Sequence, residues 1–351
     1  MSPSPRLIAL ATATPEHVLL QRDVAAAARA MFAGRYEGFD RMARIFATTG
    51  IEKRHSVRPL EWFATDHGWP ERTRAYLEGA LGLFRAAASE ALDRAALTAS
   101  DIDTIVTASS TGIATPSLDA RLLRPMGFRD GVRRVPIFGL GCAGGVSGLA
   151  VAADLARARP GSNVLFVAVE LCTLAFRLDV LTKANLVATA LFGDGAAAII
   201  LRSGDSGGGV AVEAAGQHTW PATLDVMGWS VDPGGFGVVL ARTIPPFIEA
   251  HLAPAIAGIL GRAGLTLGDI DRFLCHPGGR KVITALERSL ALDQGSLDHE
   301  RAVLSACGNM SAPTVLFVLE RALQAGLPHR SLLSALGPGF SASCVVLERI
   351  A

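Results

Sequence analysis

Leu97-Thr98-Ala99-Ser100-Asp101-Ile102-Asp103 returns as Leu265-Thr266-Leu267-Gly268-Asp269-Ile270-Asp271, an offset of 168 positions between Asp101 and Asp269. The same offset carries Cys142, in Leu140-Gly141-Cys142-Ala143-Gly144-Gly145, onto Met310. That residue neighbours Asn309 in Cys307-Gly308-Asn309-Met310-Ser311. A period this long exceeds any solenoid repeat and reads as duplication of a whole domain. Pseudo-two-fold symmetry between the halves would bring the cysteine loop and the asparagine loop to one place.

The segments around the repeat support this reading. Ile102 to Ser109 and Asn163 to Val169 are short apolar runs of the buried-strand kind, each preceded by an alanine-rich helical stretch. Strand and helix therefore alternate, as in an α/β fold. Helices are expected from about Leu81 to Ala96, from Gly144 to Ala158, and from Ile244 to Ala263, where Pro245 and Pro246 suit a first turn. The second half repeats the order, with Arg272 to Cys275 as strand and Ala312 to Ala325 as helix. Glycines in Gly204 to Gly209 mark a boundary, so the halves are expected at residues 1–205 and 210–351. Gln21 to Trp69 and Leu171 to Thr189 lack counterparts in the second half. Such additions are where substrate contacts grow on a shared scaffold.

Half of the 351 residues are hydrophobic, 37 are glycine and the net charge is +1, which suits an enzyme with a large core and not a nucleic-acid binder. The five cysteines, Cys142, Cys172, Cys275, Cys307 and Cys344, form no CxxC pair and no zinc-like grouping with histidine. Neither a disulfide framework nor a metal site is expected, and a reducing, cytoplasmic setting is. The start lacks the apolar run of a signal peptide, and no uncharged apolar stretch reaches the roughly 18 residues of a membrane span. The mean hydropathy of +0.36 points to heavy burial, part of it against a second subunit, so a homodimer is expected.

Three residues carry the chemistry. Cys142 lies between an apolar segment, Val135 to Leu140, and a small-residue helix start, where a helix dipole and free N–H groups favour a thiolate. His276, in Phe273-Leu274-Cys275-His276-Pro277-Gly278-Gly279, follows a strand and can pair with a thiolate or donate to an oxyanion. Asn309 adds a permanently neutral amide donor at a helix start. Cysteine, histidine and asparagine in strand-to-helix loops form a coherent acyl-transfer set.

Gly141-Cys142-Ala143-Gly144-Gly145, Ala190-Leu191-Phe192-Gly193-Asp194-Gly195-Ala196, His276-Pro277-Gly278-Gly279, Gly308-Asn309-Met310-Ser311 and Gly337-Pro338-Gly339-Phe340 together resemble the type III polyketide synthases, the chalcone-synthase-like group. The resemblance runs from about Ile51 to the C-terminus. It implies a thiolase-like fold of duplicated αβαβα layers and a homodimer. It also implies CoA thioesters, an acyl-CoA starter and malonyl-CoA, as substrates without a bound cofactor. Cys142 would hold the growing thioester, while His276 and Asn309 would support its carbonyl and the decarboxylation of malonyl-CoA. Phe192 matches an aromatic gatekeeper. Val238 stands where plant enzymes place a second gatekeeper phenylalanine, and Trp229 where they place a glycine. Cys172 and Ala175 replace plant threonines. Ser110, Thr111, Thr115, Ser311 and Phe340 would line or close the cavity, with Thr115 placed to reach the partner subunit, and Glu170 resembles a buried family carboxylate. Lys53, Arg54 and Arg58 are the expected cations for the CoA phosphates. The small residues at Ala175 and Val238 point to an aliphatic starter and an alkylpyrone or alkylresorcinol product.

Within the family the alternative is a synthase that uses malonyl-CoA alone and makes a polyhydroxy aromatic; outside it the rival readings are a ketoacyl-ACP synthase of the acyl-CoA-primed type, a hydroxymethylglutaryl-CoA synthase and a non-catalytic acyl-binding homologue. Of these three, the first usually has a Gln-Ala-Asn run where this chain has Pro277-Gly278-Gly279. The second needs a glutamate acid that has no identified position here, and the third is at odds with three intact triad residues.

Overall fold

The computed structural model describes residues 4–204 and 207–350. Asp205 and Ser206, inside the expected boundary, lie outside the described residues. The first half runs β1 (Arg6–Ala13), β2 (His17–Leu20), α1 (Gln21–Phe32), α2 (Phe39–Thr48), β3 (Lys53–Ser56), α3 (Trp69–Arg94), β4 (Ile102–Ala108), α4 (Leu118–Met126), β5 (Arg133–Ile137), α5 (Gly144–Ala158), β6 (Asn163–Leu171), α6 (Lys183–Leu191) and β7 (Asp194–Arg202). The second runs β8 (Gly209–Thr219), β9 (Met227–Asp232), β10 (Gly235–Leu240), α7 (Ile244–Arg262), β11 (Arg272–Cys275), α8 (Arg280–Ser289), α9 (Asp298–Cys307), α10 (Thr314–Ala325), β12 (Arg330–Gly337) and β13 (Ser341–Ile350).

The duplication is explicit in the strand order. The first sheet reads β1-β7-β6-β4-β5 and the second β8-β13-β12-β11. In both, the crossover pair is parallel (β4 with β6, β11 with β12), as is the extra pair β4 with β5 in the first sheet, and the remaining pairs are antiparallel. Two residue pairs between β1 and β8, Arg6 with Ala211 and Leu7 with Val210, join the sheets edge to edge.

The repeated heptapeptide has the same local task in each half. Leu97 N–H closes on Leu92 O at 3.0 Å, and Leu265 N–H on Leu260 O at 3.0 Å, ending α3 and α7 through the left-handed residues Ala96 and Gly264. Thr98 with Asp101, and Thr266 with Asp269, then form reciprocal capping boxes over a short 3-10 turn. The last aspartate reaches across to start the parallel neighbour: Asp103 accepts Asn163 N–H at 2.8 Å, and Asp271 accepts Arg330 N–H at 2.7 Å.

Burial sorts the elements into five layers. Helices α3 and α4 cover one face of the first sheet through Phe84, Ala88 and Leu122 against Ile105 and Leu165. Helices α7 and α8 cover one face of the second, with Ile256 and Ile283 in one cluster with Leu332 and Val346. Between the sheets lie α5 and α10, whose Leu149 and Leu316 share a core with Phe166 and Leu333. Strand β6 is buried at every position, which is why Val164 to Val169 reads as an uninterrupted apolar run. Helix α7 is long and apolar enough to cross a membrane by length and composition, yet its Ile248, Leu252, Ile256 and Ile259 pack into the core.

One helix expectation needs correction. Helix α3 begins at Trp69, not near Leu81, because extended Gly68 and the first-turn Pro70 start it earlier. The second half also lacks a counterpart of β5 among the described residues. At that open edge the buried Glu300 takes the Cys275 N–H at 2.8 Å in place of a strand.

Candidate active site

Small residues draw the two symmetry-related loops together. Helices α5 and α10 start side by side, and a Cβ on Gly145 would stand 2.2 Å from Ala312 O. Gly337 backs the cysteine turn just as closely, since its Cβ would meet Ala143 Cβ at 2.6 Å. Cys142 occupies a 3-10 turn, Gly141–Ala143, that runs directly into α5. On the opposite side, Asn309 forms a parallel bridge with Phe192: Asn309 N–H donates to Leu191 O at 2.8 Å, and Gly193 N–H to Asn309 O at 3.0 Å. The Asn309 amide then donates from Nδ2 to Gly278 O at 3.3 Å and accepts Ser311 N–H at Oδ1 at 2.8 Å. This ties it to the loop of His276.

Cys142, His276, Asn309 and Ser311 line one cavity of about 530 Å³, within the usual range of small-molecule sites. Cys172, Phe192, Trp229 and Val238 line it too, as expected. The Trp229 indole donates to Ser110 O at 2.9 Å and meets the Phe192 ring edge-on at 6.2 Å. A second, apolar cavity of about 50 Å³ lies behind Phe192 and Cys172, against Val24 and Ala28 of α1. Among the described residues, no group of three or more His, Cys, Asp or Glu side chains could hold a metal ion.

The electrostatics correct the expectation of a favoured thiolate. Burial pushes the Cys142 thiol up to about 11, against the opposing pull of hydrogen bonds with Ser311 and Asn309. Burial also lowers His276 to about 4, and both its ring nitrogens are buried without a hydrogen-bond partner. Burial thus disfavours the charged form of both groups, the thiolate and the imidazolium, in this pocket. Glu170 is fully buried; it accepts Ser110 N–H at 2.9 Å and Thr111 Oγ1–H at 2.7 Å, and desolvation raises it to about 7.

Several expected lining residues sit elsewhere. Ser110 and Thr111 are buried behind the cavity, where they brace Glu170; Ser110 Oγ also accepts the N–H groups of Gly139 and Gly141 before Cys142. Ala175 is buried in the turn that carries Cys172. Phe340 points into the core, stacked on Trp220 at 5.7 Å and edge-on to Phe247 at 5.5 Å. Thr115 is exposed and does not line the cavity.

The CoA cations are also corrected. Arg54 is only 2% exposed and donates to backbone carbonyls. Arg58 pairs with Glu78 at 2.5 Å, and Lys53 is exposed on β3 outside the cavity lining. The cavity instead opens to solvent between Arg41 and Arg44 of α2, Lys183 of α6, Arg242, and Arg280 and Lys281 of α8. Lys183 has its pKa lowered by desolvation and then by Arg242, Lys281 and Arg41, which places four of these cations in one field. Arg280-Lys281 directly follows His276-Pro277-Gly278-Gly279, a signal the sequence offers; Arg41, Arg44 and Arg242 belong to no motif.

Two profile matches divide the chain: the N-terminal domain of chalcone and stilbene synthases covers residues 3–205, and the C-terminal domain covers residues 211–351. The chain is 42% identical over 320 residues to a 1,3,6,8-tetrahydroxynaphthalene synthase of Streptomyces peucetius subsp. caesius, covering 89% of this chain and 85% of the relative. It is 28% identical to the alpha-pyrone synthesis polyketide synthase-like Pks18 of Mycobacterium tuberculosis, covering 97% and 90%. The crystal structure of 1,3,6,8-tetrahydroxynaphthalene synthase from Streptomyces coelicolor A3(2) superposes with a TM-score of 0.93 at 33% identity, covering 99% of both chains. Thiolase-like layers, a cysteine at the duplicated loop and these matches together place the chain in the chalcone and stilbene synthase family, as a type III polyketide synthase.

Proposed function

We propose that this type III polyketide synthase loads an aliphatic acyl-CoA starter on Cys142, extends it with malonyl-CoA and releases an alkylpyrone or alkylresorcinol. The observation that carries the assignment of the site is the convergence of Cys142, His276 and Asn309 on one cavity, with both His276 ring nitrogens unpartnered. Cys142 Sγ attacks the starter carbonyl as its proton passes to His276, and CoA leaves as the thiol when His276 returns that proton. Malonyl-CoA then loses carbon dioxide. The enolate oxygen is held by Asn309 Nδ2 and a His276 ring N–H, donors that act strongly where water is excluded. The enolate carbon attacks the Cys142 thioester, the new carbon–carbon bond forms and the sulfur is freed. The cations around the opening hold the CoA phosphates.

The aliphatic starter is favoured by apolar walls, including Met227, Val238, Leu240 and Leu252, and by the confinement of cations to the solvent end. A second reading, malonyl-CoA as both starter and extender, is favoured by the tetrahydroxynaphthalene synthase relative. Mass spectrometry of products from malonyl-CoA with starters from acetyl-CoA to palmitoyl-CoA separates them. Products that lengthen with the starter support the first reading, and one polyhydroxy aromatic from malonyl-CoA alone supports the second. Cys142→Ala should abolish product in either case, and Asn309→Ala should slow malonyl-CoA decarboxylation by about 100- to 1,000-fold. The enzyme is proposed to act as a homodimer, with the loop of Thr115 against the partner.

A further inference from the structure

The end of α6 is a crowded place for carbonyls. A helix leaves its last four C=O groups without intrahelical partners, and here all of them are buried or nearly so. Ala188 O takes the Phe192 N–H at 2.8 Å, and Leu191 O takes the Asn309 N–H at 2.8 Å. The others fall to one side chain. Arg54 Nη1 donates to Thr189 O at 2.6 Å and to Phe192 O at 3.1 Å, and Nη2 donates to Ala190 O at 3.1 Å and to Gln21 Oε1. Gln21, at the start of α1, also donates to Ala190 O at 3.1 Å.

Arg54 therefore places a cation at the negative end of α6, and its planar fork spans the carbonyls of Thr189, Ala190 and Phe192, which a point ammonium cannot hold together. It makes no hydrogen bond to a carboxylate; Asp194, the acid that supports its charge, bonds instead to Thr173 and to Val57 N–H. The stem of Arg54 also fills the seam between the two loops. A Cβ on Gly193 would lie 3.3 Å from Arg54 Cβ, and one on Gly308 would lie 3.4 Å from it. Those glycines flank the bridge that joins Phe192 to Asn309.

We propose that Arg54 is a positioning residue of the condensing site: by holding the carbonyls of Thr189, Ala190 and Phe192, it fixes the register in which Phe192 and Asn309 face Cys142. The proposal rests on the assignment of Asn309 to malonyl-CoA decarboxylation. Without the guanidinium, the Thr189 and Phe192 carbonyls lose this donor and Ala190 O keeps only the Gln21 amide, and the loop relieves this by moving. Leu191 O and Gly193 N–H travel with it, and Asn309 is bonded to both.

The test compares wild type with Arg54→Lys, Arg54→Met and Gln21→Ala, using steady-state decarboxylation of malonyl-CoA. Rates are normalised to the fraction of Cys142 that iodoacetamide titrates, so unfolded protein does not count. Arg54→Lys should lower kcat by about 10- to 100-fold with KM for malonyl-CoA within about twofold of wild type, as expected when a reacting group is misplaced but the substrate is still held. Gln21→Ala, which leaves the charge in place, should show a smaller loss of kcat in the same direction. A raised KM with unchanged kcat would overturn the proposal and return Arg54 to the CoA site. Wild-type kcat per titratable Cys142 in all three variants would also overturn it, leaving Arg54 a purely structural residue. An Asn309→Ala control that decarboxylates normally would instead remove the site assignment underneath it.

Discussion

At Glu170 a carboxyl group is sealed from solvent, accepts hydrogen bonds from Ser110 and Thr111, and has its pKa raised by desolvation to about 7. The folded state thus binds this proton more tightly than the unfolded chain, in which the group titrates near 4.5. The sign follows: its contribution to stability is full below the unfolded value and falls by up to about 3 kcal/mol as pH rises through 7. Glutamine mimics the protonated form, so Glu170→Gln should gain stability over wild type between about pH 5 and pH 8. Urea midpoints at both pH values read this gap, and a gap that does not change with pH would refute the raised pKa. The comparison isolates Glu170 from Asp194 and Glu300, which are raised in the same direction by burial.

Among the elements, α5 and α10 decide the site because their N-terminal ends nearly touch. Gly144 and Gly145 read from the sequence as a small-residue helix start beside Cys142. In the folded chain Gly145 also permits a helix contact, since a Cβ there would sit 2.2 Å from Ala312 O. Gly145→Ala should push α5 away from α10 and cost about 1–3 kcal/mol in chemical denaturation, as overpacking does. Because Cys142 rides on α5 and Asn309 precedes α10, condensation should fall by more than the loss of folded protein explains. A fully active, fully stable Gly145→Ala variant would show that the helices can slide apart without consequence. The bounds of α5 and α7 were legible because glycine and proline act on their immediate neighbours. The start of α3 was less so: its first turns are polar, and burial further along holds them in register.

At the scale of the whole molecule, two of the five exposed large apolar side chains among the described residues lie where the proposed partner would sit. Ile113 is 55% exposed and Phe138 58%, on loops beside Thr115 and Cys142 in sequence. Both follow strands at the edge of the first sheet, β4 and β5, whose ends are joined by Ser109 N–H to Ile137 O at 3.2 Å. Phe138→Glu places a charge where the proposed homodimer would exclude water. Light scattering of the variant should show a monomer, and an unchanged dimer mass would move the interface elsewhere.

The amino-acid sequence alone determined the duplication and the strand and helix order, and it singled out the three residues proposed to be catalytic, because each rests on short-range demands: capping, turn geometry and periodicity. It also determined the family, through motifs whose glycines and prolines shape particular loops. Tertiary structure alone decided which cations line the cavity, since Arg54 and Arg58 stand four residues apart in the expected cluster, yet one meets the carbonyls of α6 and the other meets Glu78. It likewise decided the sign of the Cys142 shift, where burial outweighs hydrogen bonds from Ser311 and Asn309. Desolvation depends on every neighbour at once, and most of those neighbours are distant in the chain.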